Sequence, residues 1–211
     1  MEKEVVPTVA QYVENMVGKE GFRYISAVVA NCKMLALELE AQEDGAAGTI
    51  DTEALIIAGY LHDISTGMYG YHDHHLKSAE MAVEFLQGLN CTGEQIEKVK
   101  QAILVHTTAF ASEQRETIPI EGRILYDADK LGRLSGLAVV TSLIEFGARY
   151  PDRAVTGEVL AAILRHIEER FVELYQSLNT APAREMAQEK FGNTLAFLDG
   201  VIEHLSDATP I

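Results

Sequence analysis

The sequence predicts an all-α fold, and three observations carry that expectation. Apolar residues recur at three- and four-residue spacing along most of the chain. No segment alternates between apolar and polar residues in the way a half-buried strand would. The five prolines, Pro7, Pro119, Pro151, Pro182 and Pro210, fall where helices start, connect or end.

A first long helix is expected from about Phe22 to Glu40, with Ile25, Val28, Val29, Cys32, Leu35, Ala36 and Leu39 on one face. The polar, glycine-rich stretch Glu43 to Gly48 closes it. Asp51 can cap the next helix, which carries Leu55, Ile56, Ala58, Gly59 and Leu61 and ends at His62-Asp63. Ser65 to His74, with Gly67 and Gly70, reads as a loop. A helix starts near His74 and carries Ala79, Ala82, Val83 and Leu86. Thr92 and Gln95 have the spacing of a capping box for the following helix, which bears Ile96, Val99, Ile103 and Leu104 and ends near His106. A polar loop leads to Pro119 and a helix containing Ile124, Leu125 and Asp129. Further helices are expected over Leu134 to Phe146, Ala154 to Leu178 and Pro182 to Leu205.

Composition narrows the function classes. A chain of 211 residues is long enough to bury a substantial core. Its net charge of −15 disfavours binding to DNA or RNA, whose phosphates it would repel. It leaves room for a small phosphorylated substrate, because one or two bound divalent cations reverse the local field. No apolar run has the length of a membrane span, and Met1-Glu2-Lys3-Glu4 does not resemble a signal peptide. A cytoplasmic location without membrane association is the resulting expectation. Cys32 and Cys91 suit that compartment as free thiols and lack metal-finger spacing.

The chemistry gathers around Leu61-His62-Asp63-Ile64. His75 and His106 follow, and Asp129 lies within Tyr126-Asp127-Ala128-Asp129-Lys130-Leu131. Imidazole nitrogens and carboxylate oxygens are what borderline divalent metals bind. Adjacent helical residues diverge by about 100°, so His62 and Asp63 converge on one ion only where the helix ends or bends. Asp127 is an alternative to Asp129. Lys77, Lys130 and Arg133 stand beside proposed ligands and suit phosphate binding. His72, Asp73 and His74 form a polar segment with His75 that reads as a solvated lining at the expected mouth of the site, with a ligand or general-acid role for one of them as the alternative. Asp63, Lys130 and Asp73 are the candidate catalytic groups. His166 and His204 fall on late amphipathic helices and read as solvated.

These residues resemble the HD-domain superfamily of metal-dependent phosphohydrolases. That family is all-helical and named for an adjacent His-Asp pair. Leu61-His62-Asp63-Ile64 matches the pair, and Ala128-Asp129-Lys130-Leu131 matches the last motif. His75-Leu76-Lys77-Ser78-Ala79 and Ile103-Leu104-Val105-His106-Thr107 are similar to two elements of one subgroup. The resemblance covers roughly residues 22–148 and implies an HD-type helical core there. It leaves 1–21 as an N-terminal helical segment and 149–211 as a C-terminal helical extension, packed on the core or forming a homodimer contact.

The resemblance implies a site for one or two divalent ions, with Mn, Fe, Mg, Zn, Co and Ni all open. His62, Asp63 and Asp129 would hold the first ion, and Asp63, His75 and His106 the second. The family's early histidine is absent, since no histidine precedes His62. Tyr24 occupies its place, which leaves the first site weaker, completed by a phenolate, or empty. The implied activity is hydrolysis of a nucleotide or another small phosphate ester or anhydride. The alternatives are a degenerate module that binds a nucleotide or protein partner without catalysis, and a di-iron oxygenase of the same scaffold.

Overall fold

A computed structural model describes residues 4–42, 50–107, 117–152 and 156–207, with side chains to 205. Among the described residues the regular structure is helical, without strands. The helices are α1 (Val5–Gln42), α2 (Thr52–Leu61), α3 (Thr66–Tyr69), α4 (His74–Gly88), α5 (Gly93–Val105), α6 (Ile120–Arg133), α7 (Gly136–Arg149), α8 (Gly157–Gln176) and α9 (Ala181–Asp207). The chain forms two compact units, Met1–Asp129 and Lys130–Ile211, divided inside α6. That division comes earlier than the expected boundary after residue 148. The expected Glu43 to Gly48 loop, most of the polar loop before Pro119 and the start of the Ala154 helix lie outside the described residues.

The first unit is built around α2. Ala54, Leu55, Ile57, Ala58, Gly59 and Leu61 are all buried, so this helix is apolar on nearly every side. Such a helix belongs inside a core, not on its surface. It packs against α1 and α5, and α4 packs on α5. Each fully buried Leu or Ile side chain, such as Leu35, Leu55, Ile57 or Ile103, stabilises the unit by about 1.5–3 kcal/mol. Gly59 allows the close crossing of α1 and α2, since a Cβ there would sit 3.1 Å from Val29 Cγ2.

Local signals fix the ends. Asp51 caps α2, its side chain accepting a 3.0 Å bond from the Ala54 amide. Thr92 caps α5 by accepting from the Gln95 amide at 3.2 Å. The helix expected from Phe22 is the second part of α1, which breaks at Gly18 (φ 72°, ψ 174°). The stretch expected as a loop contains the one-turn α3. Thr66 Oγ1 donates to the Asp63 carbonyl at 2.8 Å, and the Met68 and Tyr69 amides bond to the Ser65 carbonyl. Those bonds satisfy enough backbone to hold a turn that four residues show no periodicity for.

In the second unit α8 packs on α9, burying Leu164, Ile167, Phe171 and Leu198. Tyr175 stacks on Phe191 with ring centroids 4.3 Å apart. No single described helix is long and apolar enough to cross a membrane.

Candidate metal centre

The chain leaves α2 at His62, its C-cap, and enters a turn through Asp63 and Ile64. The helix ends there, which lets two adjacent side chains face each other. His62 Nε2 lies 3.5 Å from Asp63 Oδ2. Two further imidazoles approach the other carboxylate oxygen. His74 Nε2 is 3.4 Å and His106 Nε2 is 3.6 Å from Asp63 Oδ1. His74 opens α4 and His106 is the C-cap of α5, so three helix ends deliver the four side chains.

All three imidazoles are oriented in the same way. His62 Nδ1 pairs with the Gly59 carbonyl at 2.8 Å, His74 Nδ1 with the Tyr71 carbonyl at 2.7 Å, and His106 Nδ1 with the Ile103 carbonyl. A carbonyl only accepts, so each Nδ1 carries a proton, and in the neutral imidazole the Nε2 turned toward Asp63 is then the atom with the lone pair. Metal-binding histidines are held by this kind of bond through the far nitrogen.

The centre is buried. His62 is 0 %, His106 1 % and Asp63 7 % exposed. His62 Nε2 and Asp63 Oδ1 nevertheless make no hydrogen bond. Orphaned polar atoms in a core are costly, and a cation among them removes the cost. Ligand atoms of His62, Asp63 and His106 lie within 4.8 Å of one another, a spacing that one ion can bridge. The residues present therefore fit a divalent metal with a mixed nitrogen and oxygen ligand set.

Burial pushes the Asp63 carboxyl up, but the positive charge that His62 and His106 carry when protonated outweighs it and holds the group at about 2, as a bound cation would. Burial pushes the His106 imidazole down, which favours the neutral, ligating form. His75 is lowered by burial and by His74.

The expected site residues divide between this cluster and its surroundings. His62, Asp63 and His106 come together. Of the two neighbouring histidines that open α4, it is His74 whose Nε2 lies beside Asp63. The His75 ring stands edge-on to His74, with centroids 5.8 Å apart, and is half-buried. Asp73 adopts a left-handed conformation (φ 54°) at the N-cap of α4, turning the chain so that His74 points inward. The Asp73 carboxylate pairs with His72 at 2.9 Å and is largely solvent-facing, outside the cluster.

Asp129 is buried and accepts a 2.7 Å hydrogen bond from Tyr24 Oη on Oδ1. Asp127 is buried as well. Asn31 Nδ2 donates to the Ala128 carbonyl at 3.1 Å, fixing α6 to α1 beside Asp129. Among the expected phosphate-binding residues, Lys77 Nζ sits 4.8 Å above the Tyr69 ring, Lys130 is buried, and Arg133 is exposed. His166 and His204 are exposed, and Cys32 and Cys91 are free thiols.

The chain matches none of the curated proteins in sequence. Its fold is similar to several solved structures. One is the Lin1889 protein of Listeria innocua, at TM-score 0.68 and 17 % identity, covering 99 % of both chains. Another is an HD-superfamily hydrolase of Bacillus thuringiensis, at TM-score 0.65 and 18 % identity, covering 99 % of this chain and 100 % of that one. A third is YpgQ of Bacillus subtilis in complex with ADP, at TM-score 0.65 and 18 % identity, covering 94 % and 93 %. The family model of the HD domain matches residues 25–134, a span that holds His62, Asp63, His74, His106 and Asp129. With the His-Asp pair at a helix end and an all-helical frame around it, this chain belongs to the HD-domain family.

Proposed function

We propose that this protein is a metal-dependent phosphohydrolase acting on a nucleotide or another small phosphate ester or anhydride. One observation carries the reading: three imidazoles, each held by a backbone carbonyl at Nδ1, turn their Nε2 atoms toward one buried carboxylate. A divalent ion bound there lowers the pKa of a coordinated water and offsets charge on phosphate oxygens. Asp63 remains a carboxylate throughout the neutral range and can face an ion with either oxygen. Burial disfavours the charged form of His106, which suits its imidazole to ligation. His62 and His106 wall the centre from bulk water. Lys77, on the first turn of α4 beyond His74, is the cation proposed to meet a substrate's phosphates. The nucleotide class draws support from ADP in the related YpgQ structure.

Asp63→Ala should abolish metal binding and phosphate release together. The assay is phosphate release from a panel of nucleoside mono-, di- and triphosphates with Mn, Mg, Co and Ni. Metal-dependent turnover that survives in the variant would overturn the reading. The absence of turnover with every substrate in a metal-loaded protein would leave a binding module. Iron-dependent oxygen consumption would instead select the oxygenase chemistry.

A further inference from the structure

Tyr24 and Asp129 form a hydrogen-bonded pair that is chemically unlike the rest of the centre. Tyr24 is 40 % exposed on α1, whereas Asp129 is 1 % exposed on α6. The 2.7 Å bond from the phenol places a proton against Asp129 Oδ1. The phenol takes up a lone-pair direction of Asp129 Oδ1 that a cation would otherwise use.

The cluster around Asp63 has the opposite character. His62, Asp63 and His106 converge within 4.8 Å, and His74 Nε2 approaches the same Asp63 oxygen as His106. Its orphaned atoms, His62 Nε2 and Asp63 Oδ1, lie in that cluster.

We propose that this chain holds a single ion, ligated by His62, Asp63, His74 and His106, and that the Tyr24–Asp129 hydrogen bond stands in place of a second metal subsite. The proposal rests on the metal-dependent reading above. Tyr24 then has a specific role, in which a phenol bonded to Asp129 stands where a second subsite would need a nitrogen ligand. Tyr24 lies on an exposed stretch of α1, which makes its substitution compatible with folding.

The test is manganese content per chain by elemental analysis of the full-length protein, stripped with chelator, reloaded with Mn and desalted. Circular dichroism verifies the fold of each variant. Wild type, Tyr24→Phe and Asp129→Asn should each retain one ion. His106→Ala should lose it. Tyr24→His should gain a second ion, doubling the stoichiometry. Two ions in the wild type overturn the proposal but leave the hydrolase reading standing. Loss of the ion in a folded Asp129→Asn overturns it equally, as does a Tyr24→His protein that stays at one ion. Should Asp129→Asn fail to fold, the two Tyr24 variants decide. One ion without phosphate release from any nucleotide contradicts the hydrolase reading alone, and no ion in the wild type contradicts both.

Discussion

His74 and His75 show how much one residue of register decides. Both open α4, and at the first turn of a helix the apolar period cannot yet distinguish them. The sequence motif favours His75. The chain enters α4 through Asp73 in a left-handed conformation, and that rotation brings His74 to Asp63. The polar run from His72 to His75 marks the region, but a positive φ at a non-glycine residue has no simple sequence mark. The resulting prediction is asymmetric. His74→Ala should weaken Mn binding at least tenfold, measured by calorimetric titration, while His75→Ala should change it far less. Equal losses from both substitutions would contradict the geometry.

At the scale of elements, capping was legible because it depends on residue type at fixed spacing. Asp51 and Thr92 cap α2 and α5 at the positions their spacing indicates. Asp51 also ties the core to the electrostatics of the solvent. The Ala54 amide bond holds its carboxyl below the usual value against the effect of burial, and Lys98, 3.0 Å away, adds to that. The folded state thus binds this proton less readily than the unfolded chain. The stabilisation is complete above the unfolded carboxyl pKa of roughly 3.9 and disappears as pH falls through the lower folded value. Asp51→Ala should cost about 1 kcal/mol at neutral pH. The difference from wild type should shrink in urea titrations below about pH 4. A constant difference across that range would show that the charge is irrelevant.

Helix crossings were less legible, because they depend on what lies opposite. Gly122 on α6 is a case in point. A Cβ there would run into Val105 Cγ2 and pass 3.2 Å from Ile118 Cγ2. Val105 is buried and immediately precedes His106. Gly122→Ala should destabilise the protein by roughly 1–3 kcal/mol, as overpacking of a core does. Its denaturant midpoint should fall, and Mn affinity should fall with it through the displacement of His106. A neutral substitution would mean that α5 and α6 have room the structure does not contain.

For the whole molecule, the all-helical class followed from periodicity, and the His-Asp pair at the end of α2 followed from where that periodicity stops. The division inside α6 did not, because its apolar pattern runs unbroken from Ile124 to Leu134. The bond between Tyr24 and Asp129 spans 105 positions. No local pattern encodes such a pairing, and only the family register suggested that the two residues share a site. Stability should also respond to metal. An ion that binds the folded chain alone stabilises it by about 2.7 kcal/mol at a hundredfold excess over its dissociation constant. Thermal denaturation should therefore shift upward with Mn and downward with chelator. The same scan on Asp63→Asn should show little shift.

The most direct measurement is phosphate release from nucleoside phosphates by chelator-stripped protein, before and after Mn is restored, beside Asp63→Asn prepared identically. The account predicts turnover that requires the restored metal and is lost in the variant. Turnover by the stripped protein, or equal turnover by Asp63→Asn, would contradict a metal-dependent hydrolase built on His62, Asp63, His74 and His106.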